Sequence, residues 1–195
     1  MSDSRQMPMQ TPQDLFVHEL SDIRNAEQII IQMLEQAQGM VQHPQLKEGL
    51  RMHAEQSRQH AQRIQQVFDQ MGVQPHPIEC HAAQGLYQEL QEAQQSNPSP
   101  QVLEGLVVGG AGKTEHYEIA AYTGLVKKAR AMGRTEAAQL LQQNLQEEQQ
   151  MLQRVEQISD QLTQQMAPSE PPMAHRPMSR LAIGRAPGRT RRTKK

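Results

Sequence analysis

The chain has 195 residues and a formal net charge of −1, enough for one domain of ordinary size whose buried surface comes from a single core. Tryptophan is absent and aromatics make up 3%, whereas aliphatic residues, 12 methionines and many glutamines dominate, a helix-forming composition without the alternating β-branched runs of a sheet. Cys80 is the only cysteine, which excludes an intrachain disulfide and a cysteine-based zinc site, and no run of about 18 apolar residues provides a membrane span or a secretion signal, so a reducing, cytoplasmic setting is expected.

Residues 1–11 have no hydrophobic period and read as a disordered lead. Thr11-Pro12 then supplies an N-cap acceptor and a proline in the first turn, which starts a helix over about Pro12 to Gly39. Its apolar stripe is Phe16, Leu20, Ile23, Glu27, Ile30, Leu34 and Val41, with an acid in the middle. Gly39 and Pro44 stop one helix and start the next, expected from about Pro44 to Met71. The stripe of this second helix, Leu46, Leu50, His53, Ser57, His60, Ile64, Val67 and Met71, carries two histidines and a serine at its centre.

The stretch from Gly72 to Pro100 is the longest irregular region, with a shorter helix expected from about Ile78 to Gln95. An insertion of this kind is the crossover needed when neighbouring helices run parallel. A third long helix follows over about Pro100 to Met132, with the stripe Leu103, Val107, Ala111, Thr114, Glu118, Ala121 and Leu125. Gly109, Gly110 and Gly112 weaken it by roughly 1 kcal/mol each relative to alanine, which implies close backbone packing there. The fourth long helix spans about Thr135 to Met166, with the stripe Ala137, Leu141, Asn144, Glu148, Met151, Val155, Ile158 and Leu162. Residues 167–195 are aperiodic and rich in proline, arginine and glycine, and read as a disordered tail.

The chain also matches itself without a gap at an offset of 91 residues: Glu27 falls on Glu118, Leu34 on Leu125, Leu50 on Leu141, Ile64 on Val155 and Asp69 on Asp160. A duplicated helical hairpin means four antiparallel helices around one core, so the fold class is an all-α four-helix bundle spanning 12–166. Glu27, His53, Glu118 and Glu148 then point toward one axis at similar heights, with Glu115 one turn from Glu118 and Glu147 beside Glu148. Carboxylates in a dry core must protonate, pair or bind a cation, and basic residues on these stripes are scarce. Oxygen-rich ligation with some imidazole suits iron or manganese better than structural zinc. Taken singly, the acids also fit partly solvated positions at a bundle end, a salt bridge to Arg24 would account for Glu115, and His53 and His60 fit core histidines hydrogen-bonded to a neighbour.

Several segments carry a family resemblance: Glu19-Leu20-Ser21-Asp22-Ile23 with Ala26-Glu27, then His53 to Ser57, then Glu115-His116-Tyr117-Glu118-Ile119-Ala120-Ala121-Tyr122, then Leu145-Gln146-Glu147-Glu148. Together they resemble the YciE/YciF group of bacterial ferritin-like proteins over about Thr11 to Met166. The resemblance implies a ferritin-like bundle with a dinuclear iron or manganese site, a homodimer and a role in bacterial stress responses. It adds weight to Glu27, His53, Glu118 and Glu148 as ligands. Two departures, Gln56 where relatives carry an acid and Leu152 where they commonly carry aspartate, point to weakened metal positions and leave a mononuclear or metal-free bundle open.

Of the 20 lysines and arginines, eight fall between Pro168 and Lys195, where Glu170 is the only acid; 12 basic residues therefore face 20 acidic ones upstream. Arg185, Arg189, Arg191, Arg192, Lys194 and Lys195 give this tail the charge density of a segment that binds nucleic acid through phosphate contacts, or of a solvated end that aids solubility. Three functions follow: a dimetal stress protein that oxidises Fe(II) or removes peroxide or oxygen, a non-catalytic helical interaction module with a degenerate metal site, and a nucleic-acid-associated protein acting through the tail.

Overall fold

A computed structural model describes residues 9–166, which form five helices: α1 (Pro12–Met40), α2 (Pro44–Met71), α3 (His81–Gln95), α4 (Pro100–Ala131) and α5 (Thr135–Met166). The expected lead falls mostly, and the basic tail wholly, outside the described residues. Thr11 caps α1 reciprocally: its hydroxyl accepts from the Asp14 amide at 3.1 Å, and the Asp14 carboxylate accepts from the Thr11 amide at 2.9 Å. His43 caps α2 through Nδ1, which accepts from the Leu46 amide. Gly72, at φ +64°, ends α2 in the left-handed conformation that turns the chain away from the bundle.

The duplication is visible in the turns. α2 starts at Pro44 and α5 at Thr135, a separation of 91 residues, and each follows a three-residue connection from the helix before it. The hairpins α1–α2 and α4–α5 pack side by side, α1 against α4 and α2 against α5, so every adjacent pair of long helices is antiparallel. The parallel pairs, α2 with α4 and α1 with α5, sit across the bundle diagonals instead of side by side. Residues 72–99 return the chain from one end of the bundle to the other.

Polar side chains of α1 hold that crossover in place. Ser21 Oγ accepts from the His76 amide at 2.9 Å, Asn25 Oδ1 accepts from the Cys80 amide at 2.8 Å, and the Tyr87 hydroxyl donates to Gln36 at 2.7 Å. α3 consequently lies along α1 and α4 and shields one side of both. At the opposite end, Glu104 of α4 accepts from the Gln42 and His43 amides and ties the α1–α2 turn to the start of α4.

The core follows the expected stripes, with Phe16, Leu20, Ile23, Ile30, Leu34, Ile64, Val67, Leu125 and Leu141 buried. α4 departs from its stripe. It is enclosed by α1, α3 and α5, so its buried arc widens to include Val108, Glu115 and Tyr122, while Ala121 is only half-buried. The glycines of α4 also depart from expectation. A Cβ on Gly109 or Gly110 would meet nothing within 4 Å, and one on Gly112 would only touch Val155 at 3.9 Å, so no close helix contact explains them. Gly110→Ala is therefore expected to raise stability by about 0.5–1 kcal/mol, because it removes helix-interior backbone freedom without a clash. Thermal unfolding checks this as a rise in Tm of a few degrees; a fall in Tm would mean that a close neighbour is present after all.

Candidate metal centre

Glu27 from α1, His53 and His60 from α2, Glu115 and Glu118 from α4, and Glu148 from α5 meet at mid-height, each of them buried. They form two overlapping groups. One ligand atom from each of His53, Glu115, Glu118 and Glu148 lies within 4.8 Å of all the others, and the same holds for Glu27, His60 and Glu148. Glu148 belongs to both. The repeat accounts for part of this, since Glu27 and Glu118 occupy equivalent turns of the two hairpins and enter from adjacent antiparallel helices.

The contacts are close without being hydrogen bonds. His53 Nδ1 lies 3.0 Å from Glu115 Oε1, and His53 Nε2 lies 3.4 Å from Glu118 Oε2 and 3.6 Å from Glu148 Oε2. His60 Nδ1 lies 2.8 Å from Glu148 Oε1 and 3.4 Å from Glu27 Oε1. Even so, both oxygens of Glu115, Glu118 and Glu148, one oxygen of Glu27, and the facing nitrogens His53 Nε2 and His60 Nδ1 have no hydrogen-bond partner. Native interiors rarely leave so many buried polar atoms unsatisfied in one place. Lone pairs that converge without donating to one another are the arrangement a shared cation requires.

Nearby charged and polar groups fix the orientation of this set. His60 Nε2 lies 2.9 Å from Glu147 Oε2, and Arg63 donates to both oxygens of Glu147, at 2.8 and 3.0 Å, and to Asn144 Oδ1 at 2.9 Å. A carboxylate on Nε2 holds the proton there and leaves Nδ1 free to face Glu148, the usual way an outer carboxylate prepares a ligating imidazole. On the far side, the Tyr122 hydroxyl donates a short hydrogen bond to Glu27 Oε1, and its ring meets His60 edge-on at 5.9 Å. Arg24 is half-buried, and Glu115 has His53 as its near neighbour, not an arginine. Among the described residues no lysine or arginine nitrogen lies within 4.0 Å of Glu27, Glu115, Glu118 or Glu148.

Without a cation the cluster must hold protons. Burial, together with the charges of Glu148 and Glu27, pushes Glu118 up to about 8, and burial pushes Glu115 well above the carboxylate range against the opposing pull of His53. Burial disfavours the charged form of His60, but Glu147, Glu148 and Glu27 outweigh it and raise the imidazole to about 12. His53 is raised in the same way, against burial, by Glu115, Glu118 and Glu148. Glu148 is lowered because the two imidazoles overcome its burial, and Glu147 falls to about 2 through hydrogen bonding from His60 and Arg63.

Of the candidates drawn from the sequence, Glu27, His53, Glu115, Glu118 and Glu148 come together here. Glu147 does not join either group; it turns to Arg63 at the bundle edge and contacts His60 from outside. Gln56 and Leu152, the two departures from relatives, are half-buried, and Gln56 Oε1 is buried without a hydrogen-bond partner. His60, Tyr122 and Arg63 are further participants. His60 is two turns from His53 on the same stripe, and Tyr122 is one turn beyond Glu118. Both spacings are present in the sequence, but only the neighbouring helices show which partners they meet. Arg185, Arg189, Arg191, Arg192, Lys194 and Lys195 lie outside the described residues.

A family model described as a domain of unknown function, DUF892, matches residues 11–168. The chain belongs to the DUF892 family. The protein YciF of Escherichia coli K12 is 32% identical over 143 residues, which cover 73% of this chain and 86% of that protein. The crystal structure of E. coli YciF, described as a stress protein, superimposes with a TM-score of 0.77 at 29% identity and covers 80% of this chain and 99% of its own. The protein YcfI from Rhodopseudomonas palustris matches with a TM-score of 0.74 at 33% identity, covering 78% and 96% of the two chains. This DUF892 chain is accordingly an all-helical member of a YciF-like family, with buried histidine and glutamate groups that can hold a metal ion.

The pH dependence of the metal-stripped protein follows from these shifts. Glu118, raised to about 8, is protonated in the fold and ionised in the unfolded chain at neutral pH, so its contribution is lost as pH rises toward 8. His60, raised to about 12, stabilises the fold fully below its unfolded value of 6.5 and progressively less above it. Tm of the metal-stripped protein is therefore expected to fall between about pH 6 and 9. A Tm that is constant or rising over that range, measured by circular dichroism, would contradict the charge assignment.

Proposed function

We propose that this protein holds two divalent iron or manganese ions among Glu27, His53, His60, Glu115, Glu118 and Glu148 and acts in the bacterial stress response, oxidising Fe(II) or removing peroxide or oxygen. The observation that carries this reading is Glu148, shared by two ligand groups whose buried oxygens, apart from Glu27 Oε1, have no hydrogen-bond partner. Four ionised glutamates carry four negative charges, and two divalent cations balance them with both imidazoles neutral. Oxygen and imidazole donors without sulfur are the set that iron and manganese favour.

In this reading His53, Glu115 and Glu118 would hold one ion and Glu27 and His60 the other, with Glu148 common to both sets. When bound, such a pair supplies the electron transfer that reduces peroxide or oxygen. The polypeptide contributes orientation and proton control: Arg63 fixes Glu147, Glu147 fixes His60, and Tyr122 fixes Glu27. A cytoplasmic homodimer is part of the proposal; exposed Val102, Leu106 and Met166, at one end of the α4–α5 hairpin, offer an apolar face for the second copy.

Elemental analysis of purified protein loaded with Fe(II) or Mn(II) is expected to give about two ions per chain, with protons released on binding. Glu148→Ala is expected to lose both ions and to bring Fe(II) oxidation down to the buffer rate. Fewer than about 0.2 ions per chain after loading, with no oxidation above buffer, would defeat the proposal in favour of a non-catalytic helical module.

The charge of residues 168–195 supports an additional nucleic-acid contact through the tail, independent of the metal centre. Removing these residues is expected to abolish retention on DNA at low salt. Unchanged retention would dismiss that role.

A further inference from the structure

A second feature, open to the surface on one side, lies one helical turn from the acid cluster. Between α1, α3 and α4 is a cavity of about 250 Å³, with Leu50 of α2 at its inner end. Ala111 on its wall precedes Glu115 by one turn, and Leu50 precedes His53 by one turn. Aliphatic side chains such as Met33, Leu34, Leu90 and Val107 line it together with the backbone of Gly109 and Gly110.

Its polar side chains are confined to Glu89 and Lys113, which are exposed and pair with each other across the gap from α3 to α4 at the mouth. Among the described residues no hydroxyl, amide or imidazole side chain lines it. Water inside would lack the two to four polar partners that retain it, so the cavity suits apolar matter.

The two glycines make this more than a packing fault. Each lowers helix propensity, and neither admits a neighbouring helix, since a Cβ at either position would meet nothing within 4 Å. At the half-buried Gly110, alanine or leucine would improve the helix and fill part of the void at once, because unfilled apolar space weakens a core in proportion to its volume. At Gly110 the chain thus forgoes helix propensity and core packing at the same spot, with no return among the described residues.

We propose that this cavity is a binding site for a hydrocarbon-like small molecule, an alkyl chain or aromatic ring system with its exposed end at the Glu89–Lys113 mouth. Scaled from a 150 Å³ apolar cavity that takes six-carbon benzene, the volume suits about ten carbon atoms. The site stands next to the carboxylate centre but does not rely on it.

Titrating the full-length protein with naphthalene, followed by its fluorescence, and with decanol, followed by calorimetry, tests the assignment in metal-stripped and metal-loaded samples alike. One saturable site per chain is expected in both, which separates this outcome from the fate of the metal reading. Gly110→Leu on α4 and Ala93→Phe on α3 fill the cavity from opposite walls, and each is expected to weaken binding at least tenfold while Tm is retained. If one variant fails to fold, the other still decides. Absence of saturable binding by either probe, or binding that both fillers leave unchanged, would overturn the proposal. So would sedimentation showing that Gly110→Leu splits a dimer, which would assign this surface to a second copy of the chain.

Discussion

Four glutamates are buried in the middle of a helical bundle with no lysine or arginine of the described residues in reach, and this electrostatic conflict constrains the rest of the molecule. Removing one carboxylate from water carries an effective penalty of several kcal/mol, whereas burying one leucine or isoleucine gains about 1.5–3 kcal/mol. Against a net stability of about 5–15 kcal/mol for a typical domain, four uncompensated carboxylates would consume what the aliphatic core provides. Positive charge or protons must therefore reach the centre. His53 and His60 supply some of it, and the raised affinity of Glu115 and Glu118 for protons shows how much remains unmet.

The architecture keeps that conflict in place. Two hairpins of equal register bring Glu27 and Glu118 to the same height from antiparallel helices, and the crossover, pinned to α1 by Ser21 and Asn25, lays α3 over the side of the bundle that would otherwise open toward Glu115. Arg63 could have neutralised a core acid, but Asn144 and Glu147 hold it at the edge. Arg63 is thus used to orient His60 through Glu147, and among the described residues no arginine or lysine pairs with the four core carboxyls. A protein selected for stability alone would not keep this arrangement, because hydrophobic replacements of similar size pack such interiors at lower cost.

Much of the fold was legible because it depends on local signals. Thr11-Pro12, Gly39 to Pro44, Gly72 and Gly133 mark helix ends by capping and backbone geometry, and the three-to-four spacing of apolar residues identifies the inward faces of α1, α2 and α5. α4 was harder to read, because a helix enclosed on three sides has no single stripe; Glu115 and Tyr122 are buried along with Glu118, and the sequence alone does not say that α3 lies over it. His60 illustrates a related limit. Its position on the stripe indicates burial, but whether its ring serves as a ligand or as a satisfied core histidine depends on Glu147 and Glu148, 87 and 88 residues away. The glycines of α4 show the opposite error: low helix propensity suggested a close neighbour, and the space around Gly109 and Gly110 is instead part of a cavity. Nothing in a one-dimensional pattern separates these two uses of glycine.

The carboxylate centre and the apolar cavity lie one turn apart along the same helices. Crystals of the metal-loaded protein, measured on both sides of the iron and manganese absorption edges, test the central claim directly. The account requires two anomalous peaks in contact with Glu148, one beside His53 and one beside His60. Well-ordered carboxylates at Glu27, Glu115, Glu118 and Glu148 with no anomalous peak among them would contradict it, and would mean that the core balances its charge with protons alone.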